Sequence, residues 1–380
     1  MGEPPRVERR ERRRGVYCLS MKIGLIGLPK SGKTTLFNLL TGANVETSRF
    51  EAGRAELHTG VARVPDDRVT RLAELFKPKK TTYATFEVVD LAGIARGERS
   101  GLEAKEFRDA DALLHVVRAF PDATGAPADP RADIETLDLE LVLADLEVVD
   151  RRLERLAASI RKKRIEADVR QQAILEVLKA RLEAETPIRA VELSDDADAK
   201  AIRGFTFLSQ KPILHCLNLG EKDIAKGAKV AAAFGLTDIA RRPHTAIGWI
   251  SAVIEGEVAQ LTGSEQQAFL QDLGLTEPAI RRVLRDCYAL LGLVSFFTVG
   301  DDEVRAWSIP HGTRAQDAAD AVHSDIARGF IRAEVNSYDA LVAAGGSFAE
   351  LRAKGQLRLE GKDYIVQDGE VCHFRFNVGK

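Results

Sequence analysis

Cysteine, methionine and tryptophan are scarce in this chain of 380 residues, which contains four, two and two of them. The four cysteines are far apart and form no C-x-x-C pair: Cys18, Cys216, Cys287 and Cys372. This spacing argues against a zinc site and favours a reducing environment, so we expect a cytoplasmic protein. Long apolar runs are also missing, and none reaches the length of a membrane span. The sequence therefore predicts no membrane partner.

An excess of charge of one sign is absent as well. Lysine and arginine number 55 against 57 aspartates and glutamates, which gives a net charge of −2. The surface as a whole is therefore not built to bind nucleic acid, and no DNA partner is expected. Any RNA contact must come from a local basic patch. The length allows two or three domains, and 45% hydrophobic residues is ordinary for a soluble globular protein.

The first 20 residues differ from the rest. Arg6–Arg14 mixes arginine and glutamate without apolar periodicity, and no hydrophobic region follows, so this is not a signal peptide. One interpretation is a disordered basic arm that touches RNA. The other, which we favour, is a start codon assigned too far upstream, because Met21 stands one residue before the first predicted strand.

The segment Gly27-Leu28-Pro29-Lys30-Ser31-Gly32-Lys33-Thr34-Thr35 lies between an apolar run and an apolar stretch with helical spacing. A strand, a glycine loop and a helix in this order identify G-x-x-x-x-G-K-[ST] as a phosphate loop. Glycine lets the loop curl so that backbone N–H groups converge on a polyphosphate. Lys33 is predicted to act in catalysis by bringing charge to the β- and γ-phosphates, and the Thr34 hydroxyl to bind Mg²⁺. The predicted nucleotide contacts in this loop are Gly27, Lys30, Ser31, Gly32, Lys33, Thr34 and Thr35.

Asp90-Leu91-Ala92-Gly93 follows a β run and matches the D-x-x-G motif of G-protein switches. An acid at the end of a strand beside the phosphate loop holds Mg²⁺, and the Gly93 N–H can reach the γ-phosphate. Ile94 follows, where many GTPases place a glutamine that orients the attacking water. Isoleucine cannot orient water, so catalysis must come from another residue or be slow.

His115 interrupts the apolar strand pattern Ala112–Arg118. One interpretation is an interior histidine whose hydrogen bonds are satisfied. The other is a polar group that positions water in place of the missing glutamine.

Asn218-Leu219-Gly220-Glu221 follows another strand pattern, where guanine-binding proteins carry N-K-x-D. In that motif the lysine stem packs on the base and the aspartate accepts hydrogen bonds from guanine. Leucine and the longer glutamate should abolish selectivity for guanine. Ser251-Ala252, at the end of the last predicted strand, Ile247–Ala252, is where such domains close the base pocket.

A heptad pattern indicates a helical hairpin inserted in the chain. The apolar positions recur at alternating spacings of three and four: Leu139, Val142, Leu146, Val149, Leu153, Leu156 and Ile160. Leu175, Leu178 and Leu182 continue the pattern after a basic tip, Arg161-Lys162-Lys163-Arg164. The tip is either a solvated run of charge or a contact for RNA phosphates.

Short β runs with tight turns begin near Ser295 and indicate a small α+β domain of the β-grasp kind. A capping box, Thr313-Arg314-Ala315-Gln316, is predicted to open its helix. The predicted strands are Val304–Ile309, Phe330–Val335, Leu357–Glu360, Tyr364–Val366 and Val371–Phe376.

Together these motifs resemble the YchF-type Obg-like ATPases, P-loop proteins of the TRAFAC class, over the chain from Met21 onward. The tail is the most specific part and looks like the TGS domain of that family. The matching tail segments are Val304-Arg305-Ala306-Trp307, Arg328-Gly329-Phe330-Ile331-Arg332-Ala333-Glu334-Val335 and Leu359-Glu360-Gly361-Lys362-Asp363-Tyr364.

The resemblance implies an α/β fold in which a P-loop domain with a mostly parallel sheet carries a coiled-coil insert and a C-terminal β-grasp domain. It implies a slow ATPase that uses ATP and Mg²⁺ and acts on the ribosome or a ribosomal subunit in translation or stress response. His115 matches the histidine to which hydrolysis is attributed in the family, and Leu219 matches the residue that lies against the adenine. The expected segments are an extension (1–20), the P-loop domain (21–130 and 201–294), the insert (131–200) and the TGS domain (295–380).

Three departures from the family pattern concern the phosphate end of the site. The first switch lacks its usual threonine, and the stretch between Asp90 and His115 is short. Lys30 replaces an asparagine that helps to hold potassium in related loops; its ammonium either turns to solvent or takes the place of the cation. A ribosome adaptor with negligible ATP hydrolysis is therefore the alternative to an ATPase.

Overall fold

A computed structural model of the chain describes residues 21–45, 57–91, 105–193 and 195–377. These residues form two compact units. The large unit contains the described residues of 21–65 and 85–292, and the small unit contains 66–84 and 293–377. No helix within the described ranges has the length and apolar character needed to cross a membrane.

The strands predicted around the phosphate loop and the two predicted hairpin helices are present, together with further strands and helices that were not predicted. The strands are β1 (Met21–Ile26), β2 (Leu57–Arg63), β3 (Lys80–Thr82), β4 (Thr85–Leu91), β5 (Ala112–Ala119), β6 (Ile213–Leu219), β7 (Thr245–Ile250), β8 (Leu293–Thr298), β9 (Glu303–Pro310), β10 (Phe330–Ser337), β11 (Arg358–Glu360) and β12 (Glu370–Phe376). The α-helices are α1 (Lys33–Thr41), α2 (Asp67–Phe76), α3 (Lys105–Arg108), α4 (Pro130–Lys162), α5 (Glu166–Glu183), α6 (Asp196–Ile202), α7 (Val230–Ala233), α8 (Ala252–Val258), α9 (Gly263–Asp272), α10 (Ala279–Leu290), α11 (Ala315–Val322), α12 (Ser324–Arg328), α13 (Tyr338–Ala343) and α14 (Phe348–Ala353).

The sheet of the large unit has the strand order β2-β4-β1-β5-β6-β7. All neighbouring strands are parallel except β2, which pairs antiparallel with β4. Strand β6 is buried along its whole length, as expected for a parallel strand covered on both faces. The prediction of a mostly parallel sheet is therefore confirmed.

The parallel pairing brings the carboxyl ends of five strands to one edge of this sheet. Gly27 follows β1, Asp90 lies near the end of β4, and Asn218 lies near the end of β6. Phe120 follows β5, and Ser251 follows β7. In open α/β sheets, ligands bind in the crevice at these carboxyl ends.

Helices α4 and α5 form the predicted hairpin. Val149 and Leu156 of α4 and Leu175 and Leu178 of α5 are buried in one apolar cluster. Burial of this heptad face holds the two helices together, because apolar surface leaves water where they meet. One seam position was wrong: Leu139 is 38% exposed, since the shared face begins further along α4.

The small unit has a second sheet, in the order β11-β10-β12-β8-β9-β3, with α11 packed on its core. Two local predictions were wrong. Tyr364–Val366 is not a strand, although Ile365 makes an isolated bridge to Arg314. The capping box does not form, because the Thr313 hydroxyl donates to the carbonyl of Pro310 at 2.6 Å while Arg314 occupies the cap position.

The boundary between the units differs from the sequence-based division. Residues 66–84 were placed in the P-loop domain but belong to the small unit. The reason is pairing: β3 joins β9 in parallel, with Thr81 opposite Val304. A strand partner more than 200 residues away cannot be inferred from local periodicity.

Candidate functional site

A cavity of about 810 Å³ lies at the carboxyl edge of the sheet of the large unit. Its walls come from the phosphate loop and from the ends of β5, β6 and β7. The lining residues are Gly27, Leu28, Pro29, Lys30, Gly32, Lys33, Thr34, Thr35, Phe120, Pro121, Asn218, Leu219, Gly220, Glu221, Lys222, Asp223, Ala252 and Val253.

The phosphate loop approaches its neighbours too closely for side chains at two positions. A Cβ atom on Gly27 would lie 2.6 Å from the carbonyl oxygen of Val116 in β5. Gly32 has φ of +93°, and a Cβ there would lie 2.3 Å from Nδ2 of Asn218. Helix α1 begins directly after Gly32, so its first backbone N–H groups face the loop. Convergent N–H groups at a helix N-terminus form an anion site.

Asn218 connects two walls of the cavity. Its Nδ2 donates to the carbonyl oxygen of Ser31 at 2.9 Å, and its Oδ1 accepts from the N–H of Ala252 at 3.0 Å. The side chain is almost completely buried. A buried amide with both ends satisfied fixes the loop relative to the turn after β7. The first residue of the predicted base motif therefore holds the cavity together.

Lys33 and Asp90 form a buried ion pair, with Nζ of Lys33 at 3.7 Å from Oδ1 of Asp90. Burial lowers the pKa of Lys33, and Asp90 opposes that shift. Burial likewise raises the pKa of Asp90, against the opposite effects of Lys33 and His58. A buried ion pair offsets the cost of its desolvation only where additional hydrogen bonds or ligands satisfy the remaining donors and lone pairs of the two groups.

The donor atoms present fit Mg²⁺. Both carboxylate oxygens of Asp90 are buried and lack a hydrogen-bond partner among the described residues. Thr34 adds a hydroxyl oxygen at the cavity wall. Within the described ranges, no group of three or more His, Cys, Asp or Glu side chains could hold a metal without other ligands. One or two protein oxygens are typical of Mg²⁺ sites completed by water and phosphate oxygens.

The opposite end of the cavity from the phosphate loop combines an apolar surface with two acids, Glu221 and Asp223. Leu219 is buried and lines the wall, whereas Glu221 lines it with its side chain exposed. Phe120 and Pro121 complete this wall, and the sequence analysis missed both. Their position directly after β5 was the available signal, because every parallel strand ends at this edge.

His115 lies in the interior of the sheet and not in the cavity wall. It is fully buried, and its Nδ1 is 2.9 Å from Nδ1 of His215 in the neighbouring strand. Its backbone is opposite Ile26, one residue before the phosphate loop. The arrangement fits the interior-histidine interpretation better than direct contact with a phosphate.

The predicted nucleotide contacts fall into three groups. Ser31 and Ser251 are buried beside the cavity and their hydroxyls do not line it. Gly93, Ile94 and residues 46–56, the first part of the first-switch segment 46–60, lie outside the described residues. Ten predicted nucleotide contacts do line the cavity, namely Gly27, Lys30, Gly32, Lys33, Thr34, Thr35, Asn218, Leu219, Glu221 and Ala252.

Two family models match the chain. The model named YchF-GTPase_C, whose description is a protein of unknown function, matches residues 293–377. A model described as 50S ribosome-binding GTPase matches residues 22–163.

Curated proteins resemble the chain over almost its full length. The protein named ribosome-binding ATPase YchF from Bacillus subtilis is 40% identical over 369 residues, which are 95% of this chain and 100% of that protein. The protein of the same name from Escherichia coli O157:H7 is 37% identical over the same shares.

Solved structures give the same fold. The Schizosaccharomyces pombe YchF GTPase has a TM-score of 0.78 and 26% identity, and the match covers 96% of this chain and 100% of that one. A GTP-binding protein from Pyrococcus horikoshii has a TM-score of 0.55 at 19% identity, covering 94% and 100%, and supports the fold alone. The identity to the curated relatives extends over their whole length, and on this ground the chain belongs to the YchF family.

Proposed function

We propose that the chain is a slow, Mg²⁺-dependent ATPase of the cytoplasm that acts on the ribosome or a ribosomal subunit in translation or stress response. The observation that carries this proposal is the cavity itself. The phosphate loop, the Lys33–Asp90 pair and the base-motif residues meet at one edge of one sheet. The names of the curated relatives support both ATP hydrolysis and ribosome binding.

The roles of the loop residues follow from their chemistry. The N–H groups at the start of α1 would bind the phosphates, and the Lys33 ammonium would lie against the β- and γ-phosphates. Thr34 and Asp90 would hold Mg²⁺, which supplies charge neutralisation on the phosphate oxygens when it is bound. The Gly93 N–H would complete the contacts at the γ-phosphate. At the other end, the buried side chain of Leu219 offers an apolar surface to the base.

Steady-state release of phosphate from ATP, measured with and without ribosomal subunits, tests whether the protein is an ATPase. We expect slow basal turnover that ribosomal subunits raise. Lys33→Ala should lower turnover by about 100-fold or more, because a charge placed on the transferring phosphate is removed. The matched control is Lys229→Ala, which removes an exposed lysine outside the cavity wall. Equal turnover in Lys33→Ala and the wild type would refute the ATPase assignment.

A second function, a ribosome adaptor with negligible hydrolysis, is favoured by one observation. His115, the residue to which the family resemblance assigns hydrolysis, is buried outside the cavity wall. The same assay separates the two functions. An adaptor would bind ATP and ribosomes but release no more phosphate with ribosomes than the Lys33→Ala variant does.

The hairpin tip Arg161–Arg164 is the proposed contact with ribosomal RNA. All four side chains are exposed where α4 ends and α5 begins. None of them forms an ion pair with a described residue. Four exposed cations where the two helices of the hairpin join are available to phosphates, which bind with a strong dependence on salt. The small unit is the second proposed contact, on the resemblance of its sequence to a TGS domain.

Co-sedimentation with ribosomes tests the tip. Changing Arg161, Lys162, Lys163 and Arg164 to glutamine should weaken binding and reduce its salt dependence, by about one unit of slope for each phosphate that the tip no longer neutralises. The control changes four exposed cations elsewhere on the hairpin and α6 to glutamine, namely Arg151, Arg155, Arg181 and Lys200. Equally weakened binding in both variants would leave the tip a solvated run of charge.

A further inference from the structure

Lys30 occupies an unfavourable backbone conformation in the phosphate loop. Its φ is +65°, in the left-handed region that glycine adopts readily and that costs free energy for a residue with a side chain. Strain of this kind persists where the surrounding structure imposes it, and it is concentrated at functional sites. A glycine would satisfy the backbone better, so the lysine side chain is the feature to explain.

The Lys30 side chain is the uncompensated cation at the phosphate end of the cavity. It is exposed, lines the cavity wall, and makes no ion pair or hydrogen bond with a described residue. Lys33, three residues later, lies 3.7 Å from a carboxylate oxygen of Asp90. Part of the Lys33 charge is therefore balanced within the protein, whereas the charge of Lys30 is not.

The chemistry of an ammonium group restricts what Lys30 can bind. It has three N–H donors and no acceptor, so it binds anions and carbonyl oxygens and cannot ligate a metal. The anion that the loop itself is built for is a polyphosphate. Each added phosphate increases the negative charge in the cavity, so an unbalanced ammonium favours the triphosphate most.

We propose that Lys30 is a specificity-determining residue whose ammonium binds the terminal phosphates and makes the site prefer a nucleoside triphosphate to the diphosphate. This inference rests on the proposed function, since it presupposes nucleotide in the cavity. The preference for triphosphate then arises from the protein's own charge in addition to that of Mg²⁺. It also explains why a strained lysine is tolerated in a glycine-like position.

Calorimetric titration with a non-hydrolysable ATP analogue and with ADP tests the inference. Lys30→Gln should weaken binding of the ATP analogue about tenfold, the value of one charge-assisted hydrogen bond, and that of ADP about threefold or less. The matched control is Lys222→Gln, because Lys222 is also an exposed, cavity-lining lysine without a described partner. Lys222 follows the base motif, so its removal should leave the ratio of the two affinities unchanged.

Lys30→Gly separates binding from stability. The free protein should unfold about 1–3 °C higher, because glycine suits the left-handed backbone, while the preference for triphosphate falls as in Lys30→Gln. A lysine with a purely structural role would give lower stability and unchanged binding, which contradicts the inference. If the wild type binds both nucleotides and Lys30→Gln has the same ratio of ATP-analogue affinity to ADP affinity, the inference fails while the proposed function stands. If the wild type binds neither nucleotide, the proposed function fails with it.

Discussion

Nδ1 of His115 lies 2.9 Å from Nδ1 of His215, across the neighbouring strands β5 and β6. Both rings are fully buried and meet edge to face. One Nδ1 must carry a proton and donate while the other accepts, so the hydrogen bond requires at least one neutral ring. Burial lowers the pKa of both histidines well below the usual value, and for His115 the neighbouring His215 adds to the shift. The pair is therefore neutral at physiological pH.

The neutral pair predicts a loss of stability in acid. Below about pH 6.5 the unfolded chain protonates both histidines while the folded chain does not, so the free energy of unfolding falls as pH falls. Two protons give a slope of up to about 2.7 kcal/mol per pH unit. Among the charged groups around the pair, Asp138 raises the pKa of His115 and so favours its charged form. Arg189 and Arg242 lower the pKa of His215 and so disfavour its charged form. Urea unfolding between pH 7 and pH 5, followed by circular dichroism, measures the slope.

Variants are needed to isolate the contribution of the histidine pair to the pH dependence of stability. Burial raises the pKa of acids such as Asp145, and their protonation in the folded state stabilises the fold as pH falls, against the effect of the histidines. His215→Phe should reduce the slope of the free energy of unfolding against pH by about 1.4 kcal/mol per pH unit, because one proton fewer is bound on unfolding. His311→Phe, which removes an exposed histidine, should leave the slope as it is. A slope that is the same in all three proteins would show that the pair binds protons in the folded state.

The same pair allows a test of His115 in turnover. His115→Ala should leave nucleotide affinity intact and lower turnover, because the residue lies opposite Ile26 at the foot of the phosphate loop. His215→Phe removes the same hydrogen bond from the other side and serves as the control. A larger fall in His115→Ala than in His215→Phe would indicate a role of the His115 imidazole itself. Unchanged turnover in His115→Ala would make it an interior histidine only.

Local pattern was sufficient for the phosphate loop and for the positions of the parallel strands along the chain in the large unit. Gly27 and Gly32 could be recognised in the sequence because the motif requires glycine at both positions. The structure gives the reason: the loop approaches Val116 and Asn218 so closely that no side chain fits. The partner of His115 could not be predicted, because the contact depends on the register of β5 against β6. The place of residues 66–84 was missed for the same reason: a strand pairing far along the chain leaves no local signal.

Asn218 should matter more for the shape of the cavity than for any single contact with the base. Asn218→Ala leaves the Ser31 carbonyl and the Ala252 N–H without their partner, so we expect nucleotide affinity to fall about tenfold or more. Asn218→Asp keeps an acceptor for Ala252 but places a buried carboxylate oxygen against the Ser31 carbonyl oxygen, so its effect should be at least as large. Calorimetry with the ATP analogue checks both variants. Equal affinities in Asn218→Ala and the wild type would contradict a bridging role.

The last prediction concerns the choice of base, on which the names of the relatives differ: the Bacillus subtilis protein is named an ATPase and the Schizosaccharomyces pombe protein a GTPase. Leu219 and Glu221 line the cavity where guanine-binding proteins have lysine and aspartate. Guanine has donors at N1 and N2 that need an acceptor at a fixed distance, and the longer glutamate side chain moves that acceptor. Unpaired donors on a buried base reduce binding, so the ATP analogue should bind about tenfold or more tightly than the GTP analogue.

Restoring the guanine-binding pair should reverse this preference. The double change Leu219→Lys and Glu221→Asp supplies the stem that packs on the base and the acceptor for its donors, so GTP-analogue affinity should rise while ATP-analogue affinity falls. Leu219→Lys alone is the control, because it adds the stem without the acceptor and should change the two affinities in the same direction. Calorimetry with both analogues gives the ratio for each protein. A wild type that binds the GTP analogue as tightly as the ATP analogue would contradict this prediction, because it would show that Glu221 or another group of the cavity wall satisfies the guanine donors.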